Sequence, residues 1–176
     1  SDGTFRNGGT GVTHIHENAR DMINIMATEP GITTVYFNIP RPCWKDGEAK
    51  DLYAANMGGA PHQVNLNQGE VFMLLETVRG SSGAFNTLGG THITATQDIV
   101  VSSMEDYTNY DAAGDQLIPV DRSGTLYTVV KGYSTATYQD KVFIIATQPS
   151  TGVTITPDGG TPTTLSLSNA GDMQVY

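Results

Sequence analysis

Only one of the 176 residues is a cysteine, Cys43, so neither a disulfide within the chain nor a thiolate-built zinc site is available. Basic residues are scarce as well: 9 Lys+Arg stand against 18 Asp+Glu, a formal charge of −9. Nucleic acid and anionic membrane surfaces are held by Lys and Arg that displace counterions, so both are excluded as main partners. Long apolar runs are missing too. None exceeds about five residues, residues 71–75 being typical, whereas a spanning helix needs about twenty. Helical periodicity is nearly absent, its best stretch, residues 17–22, being long enough for a single turn. Charged residues make up 15 %, against a usual quarter.

Threonine and glycine fill the space, with 23 Thr and 20 Gly. Thr suits a pleated, half-buried surface and Gly suits tight turns, so the composition is that of an all-β protein. Apolar or alternating runs recur at 22–27, 33–39, 64–67, 70–75, 92–103, 126–130, 141–146, 153–156, 165–167 and 173–176, separated by Gly, Pro, Asn and Asp. Short strands at such spacing predict a two-sheet sandwich; a propeller or β-solenoid fragment is the alternative architecture.

Two stretches match in order. Ile23-Asn24-Ile25-Met26-Ala27-Thr28-Glu29-Pro30 aligns with Val142-Phe143-Ile144-Ile145-Ala146-Thr147-Gln148-Pro149. Thr34-Val35-Tyr36-Phe37 follows in one and Gly152-Val153-Thr154-Ile155 in the other. An alternating strand comes next (Val64-Asn65-Leu66-Asn67; Leu165-Ser166-Leu167-Ser168), then a Gly-acid-apolar step, Gly69-Glu70-Val71 and Gly171-Asp172-Met173. Four landmarks in one order predict a duplicated strand unit within a single domain spanning residues 1–176; either it is part of a longer repetitive protein, or its last strand completes a sheet with the N-terminal part or a neighbouring molecule.

The copies differ most in one connection. Residues 157–162 join the second and third strands of the later copy, where the earlier one uses residues 40–61. That insert carries the only Trp and the only Cys among several charges. A charged loop on a rigid β framework is where specificity commonly sits, so Trp44, Lys45 and Asp46 are the candidate ligand-binding residues. The bland reading is an insert whose Trp44 folds back onto the sheet.

Residues 80–121 hold six acids and no base. Their densest part offers Glu105, Asp106, Asn109, Asp111 and Asp115 as oxygen ligands for Ca²⁺, in a spacing unlike the EF-hand. A solvated acidic loop is the competing account. His14 and His16 would share one face of a strand and so seed a transition-metal site, but no third ligand is assignable. No catalytic residue stands out: Gly80-Ser81-Ser82-Gly83 is not a nucleophile elbow, and Cys43 has no histidine near it in sequence.

From about residue 33 to residue 155 the chain resembles the N-terminal domain of the IgGFc-binding protein family. The resemblance rests on Gly69-Glu70-Val71-Phe72, Gly90-Thr91-His92-Ile93-Thr94-Ala95, Asp98-Ile99-Val100-Val101, Leu117-Ile118-Pro119-Val120, Gly124-Thr125-Leu126-Tyr127, and Phe143-Ile144-Ile145-Ala146-Thr147 with Val153-Thr154-Ile155. It implies an extracellular, non-catalytic binding or matrix module. No cofactor is expected to be required, and the acidic residues named above make Ca²⁺ a candidate ion. The expected ligand is a protein or a glycan, bound through loops, with self-association or neighbouring domains as further partners. The alternatives are a structural subunit that assembles by lending a terminal strand, from residues 1–16 or 170–176, and a carbohydrate-active enzyme using Asp106 or Asp111.

Overall fold

The computed structural model describes residues 21–45, 51–77, 88–105, 114–130 and 142–176. Within them the chain is almost entirely β, in separate antiparallel sheets with no closed barrel. The all-β sandwich predicted from composition agrees with the observed architecture, and the described residues form no propeller or solenoid.

Strand β1 (Asp21–Ala27) lies in the larger sheet, and β2 (Ile32–Asn38) lies in the smaller one. The chain then returns to the larger sheet for β3 (Cys43–Lys45) and β4 (Leu52–Tyr53) before rejoining the smaller with β5 (His62–Asn67). It crosses again for β6 (Val71–Glu76), places β7 (His92–Ala95) beside β2, and closes with β8 (Ile99–Glu105) and β9 (Gly114–Gln116). The six-stranded sheet has the order β4-β3-β6-β1-β8-β9 and the three-stranded sheet β5-β2-β7. The insert at 40–61 is therefore more than a loop: it carries the hairpin that forms one edge of the larger sheet.

Alternation dictates what the sheets bury. Ile23, Ile25 and Ala27 on β1 and Phe72 and Leu74 on β6 meet Val35 and Phe37 on β2 and Leu66 on β5, one apolar cluster between two sheets. Phe37 is its centre, fully enclosed, with ring centroids 4.9 Å from Tyr53, 5.6 Å from His62 and 6.0 Å from Phe72. Asn56 clamps the insert onto the end of β2: its Oδ1 accepts from Ile39 N at 2.7 Å, and its Nδ2 donates to Phe37 O and Ala60 O.

The later copy supplies β10 (Phe143–Ile145), β11 (Thr151–Ile155), β12 (Thr163–Leu167) and β13 (Met173–Val175). Its pairings repeat those of the earlier copy residue for residue. Met26↔Val71 has its counterpart in Ile145↔Met173, and Val35↔Val64 in Val153↔Leu165. The turn before the last strand is repeated down to its hydrogen bonds. Asn67 N and Nδ2 donate to Glu70 Oε2 at 2.7 and 3.2 Å, and Asn169 N and Nδ2 donate to Asp172 Oδ2 at 2.8 and 3.4 Å. Gly69 and Gly171 take the left-handed backbone this turn requires, with φ of 80° and 86°.

Two outcomes follow from the duplication. At the first turn of each copy the backbone is left-handed, at Gly31 (φ 93°) in one and Ser150 (φ 57°) in the other. Ser150→Gly is expected to stabilise the chain by roughly 0.5–1 kcal/mol, the relief of the Cβ contact less glycine's greater chain entropy; thermal unfolding would show the rise. The second concerns acid. The Asn67 backbone and side-chain N–H groups hold the Glu70 carboxyl below its ordinary value of 4.5. A lowered folded pKa gives stability that is present above the unfolded value and lost as pH falls through the folded one. Urea unfolding of Glu70→Gln against the parent chain should therefore show a gap at neutral pH that closes as the solution is acidified below about 4.5.

The units meet at glycines. A Cβ on Gly171 would stand 2.6 Å from Met57 Cε and 2.9 Å from Gly90 O, and one on Gly90 would fall on the Gly171 carbonyl. No helix among the described residues is long and apolar enough to cross a membrane, which says nothing of β-barrels.

Candidate functional site

Strand alternation separates the residues that the sequence placed together. On β3, Cys43 points into the core and is fully buried, while Trp44 lies on the opposite, outer face of the larger sheet. Lys45 returns to the side of Cys43, where its Nζ sits 4.7 Å from the centre of the Tyr53 ring. Trp44 and Lys45 therefore do not converge on one ligand, and Asp46 lies outside the described residues.

Trp44 has other company. It stands opposite Leu52 on β4 and Leu75 on β6; Leu75 stands opposite Met22 on β1, and Met22 opposite Met104 on β8. One apolar row thus crosses five adjacent strands of the outer face. A second row brings Met26 beside Val71 and Val100, and Met73 occupies the row between, next to Asn24. Four of the chain's six methionines share this face. Leu52 is 49 % exposed, Val71 53 %, Met104 39 % and Met26 36 %, whereas Leu75 in the middle of the row is buried, so the face is open at its margins and covered at its centre. Polar relief comes from Asn24, whose Nδ2 donates to Met104 Sδ at 3.4 Å. Trp44 Nε1 is itself buried with no hydrogen-bond partner among the described residues.

Sequence reasoning did not find this face. The signal was present in Met22-Ile23-Asn24-Ile25-Met26, where alternation puts both methionines opposite the buried isoleucines, but the partners on β6 and β8 are fixed only by register.

The other expected sites fare differently. Glu105 ends β8, its backbone paired with Asp21, and Asp115 lies on β9 opposite Ser103. The Asp115 Oδ1 accepts from Gln116 N at 2.8 Å. Asp106, Asn109 and Asp111 lie outside the described residues, as do His14 and His16. Among the described residues no three His, Cys, Asp or Glu side chains gather as a metal site. His62 packs its ring against Phe37 and Tyr53, and its Nε2 donates to Ala54 O at 2.8 Å. Burial pushes the Cys43 thiol up to about 12, so at neutral pH it is no thiolate.

The family model described as IgGFc binding protein matches residues 8–175, nearly the whole chain. The chain belongs to the IgGFc-binding protein family. No curated protein and no solved structure matches it. The resemblance noted over residues 33–155 is thereby extended in both directions, and the class it indicates is a protein-binding module.

Proposed function

We propose that this chain is an extracellular, non-catalytic adhesion or matrix module that holds a protein against the outer face of its six-stranded sheet. The observation that carries the reading is the Trp44-centred apolar row. Soluble chains seldom gather several exposed large apolar side chains, here Leu52, Val71, Met104 and Met26, on one face, and methionines adapt to partner surfaces because the thioether is soft and unbranched. A half-buried tryptophan within such a strip suits the anchor of a protein interface, where aromatic side chains carry much of the binding energy. A flat apolar strip favours a protein over a glycan. The sparse charge and the inert Cys43 support an extracellular, non-enzymatic setting. Binding through the sheet face replaces the loops as the preferred mode.

The family's description makes the Fc fragment of IgG the first probe. Saturable binding of Fc to the immobilised chain is expected, weakened at least about tenfold by Met26→Asp combined with Met104→Asp, since burying a lone carboxylate in an apolar contact is costly. Equal affinity for the variant would remove the outer face from the account. No binding by the parent chain would remove Fc as the ligand.

A further inference from the structure

The first unit displays what completes the second. In it, β1 is paired along both edges, by β6 on one side and β8 on the other. Ala27 exchanges hydrogen bonds with the β6 side, its N donating to Glu70 O and its O accepting from Gly69 N, while Thr28 N donates to Asp98 O at the start of β8. Odd-numbered residues of β1 thus bond to β6 and even-numbered ones to β8.

The same bookkeeping applies to β10. Val142 and Tyr176 exchange both bonds at 2.8 and 2.9 Å, and Ala146 N donates to Asp172 O while Ala146 O accepts from Gly171 N. Phe143 and Ile145 therefore turn their N–H and C=O groups away from β13. Among the described residues no strand pairs with that edge. It is the edge that β8 occupies beside β1.

A second feature matches it. Residues 124–130, Gly-Thr-Leu-Tyr-Thr-Val-Val, are uncharged, rich in β-branched and aromatic side chains, and in no strand. Leu126 is 90 % and Val130 89 % exposed, with Tyr127 and Val129 also open. No hydrogen bond joins them to the described residues. The pattern is close to that of β8, which opens Ile99-Val100-Val101. The C-terminal strand, by contrast, is engaged within its own chain as β13 and is not free to be lent.

We propose that the chain self-associates by strand addition: residues 126–130 of one copy pair antiparallel with the free edge of β10 in a second copy, in the place β8 holds beside β1. Backbone bonds from Phe143 and Ile145 supply affinity, and the apolar side chains of the incoming strand cover the half-open second unit. Each copy has one donor and one acceptor, so the contact is head-to-tail and propagates along a row of molecules. Added salt strengthens it by screening the charge of −9 that each copy carries.

Sedimentation velocity of the whole chain over its soluble concentration range, with three variants, tests this. The parent chain is expected to form concentration-dependent oligomers. A donor variant (Leu126→Asp with Val130→Asp) and an acceptor variant (Ile145→Pro) should each stay monomeric at concentrations about tenfold higher; proline is tolerated where the lost N–H faces away from the neighbouring strand. Mixed together, they should form a 1:1 dimer and nothing longer, because one retains the acceptor and the other the donor. The outer-face variant should assemble like the parent. A peptide of residues 124–130 should dissolve the parent oligomers even if Ile145→Pro fails to fold. A parent chain that stays monomeric, oligomers indifferent to the donor variant, or oligomers that ignore the peptide would each overturn the proposal.

Discussion

Phe37→Ala is expected to lower the unfolding free energy by about 3–5 kcal/mol, the range for truncating an enclosed aromatic side chain. Domains of ordinary stability hold about 5–15 kcal/mol in total, so this one change would consume much of the reserve. The reason is position. Phe37 lies on β2 in the smaller sheet, yet its ring meets Tyr53 edge-on at 4.9 Å and Phe72 at 6.0 Å, both on the larger sheet. Removing it opens a cavity between the sheets and also loosens the β3–β4 edge, which meets the core through Tyr53 and Cys43. Trp44, the only tryptophan, lies on that edge and reports on it. Urea unfolding followed by its fluorescence should show a much lower midpoint, while Val71→Ala, on the exposed face, should leave the midpoint nearly where it was.

Gly90→Ala carries the second large effect. Gly90 has φ 88°, a backbone that resists any side chain, and its Cβ would land on the Gly171 carbonyl. Strain of this kind costs on the order of 1–3 kcal/mol before the clash is counted. Moving the Gly171 turn disturbs the hydrogen bond from Gly171 N to Ala146 O and with it the start of β13. Amide exchange should therefore quicken in β10 and β13, while β1 and β6 keep their protection. Uniform loss across both units, or no change at all, would contradict a junction at these glycines.

How much of this was legible beforehand depends on where each element gets its stability. The duplicated strands could be read because alternation and turn glycines are local signals. The copies share register because Asn67-Gln68-Gly69-Glu70 and Asn169-Ala170-Gly171-Asp172 encode the same turn chemistry. β3 and β9 escaped notice because Cys-Trp-Lys and Gly-Asp-Gln have little strand character of their own; they form by pairing with β6 and β8. The stretch 92–103 reads as one strand but is two. Thr96 N donates to Thr34 O in the smaller sheet, and Asp98 O accepts from Thr28 in the larger, so the chain changes layers between them. Residues 126–130 read as a strand and have every local property of one, but no described partner.

The candidate site shows the same division. Trp44 stands out in the sequence because it is unique, but its neighbours in sequence are not its neighbours in space. Alternation sends Lys45 to the other face, and register supplies Leu52, Leu75, Met22 and Met104 instead. Which strands adjoin is a non-local fact, and periodicity cannot reveal it.

The methionines give the most direct test of the central claim, that the outer face of the larger sheet is the binding surface. Four of the six (Met22, Met26, Met73 and Met104) lie on that face, whereas Met57 lies against Gly171 at the junction and Met173 on β13. With ¹³C-methyl methionine in the chain, titration with the Fc fragment should shift and broaden the four outer-face methyl signals and leave those of Met57 and Met173 in place. Movement confined to Met57 and Met173, or saturable binding that leaves the outer-face four untouched, would contradict it.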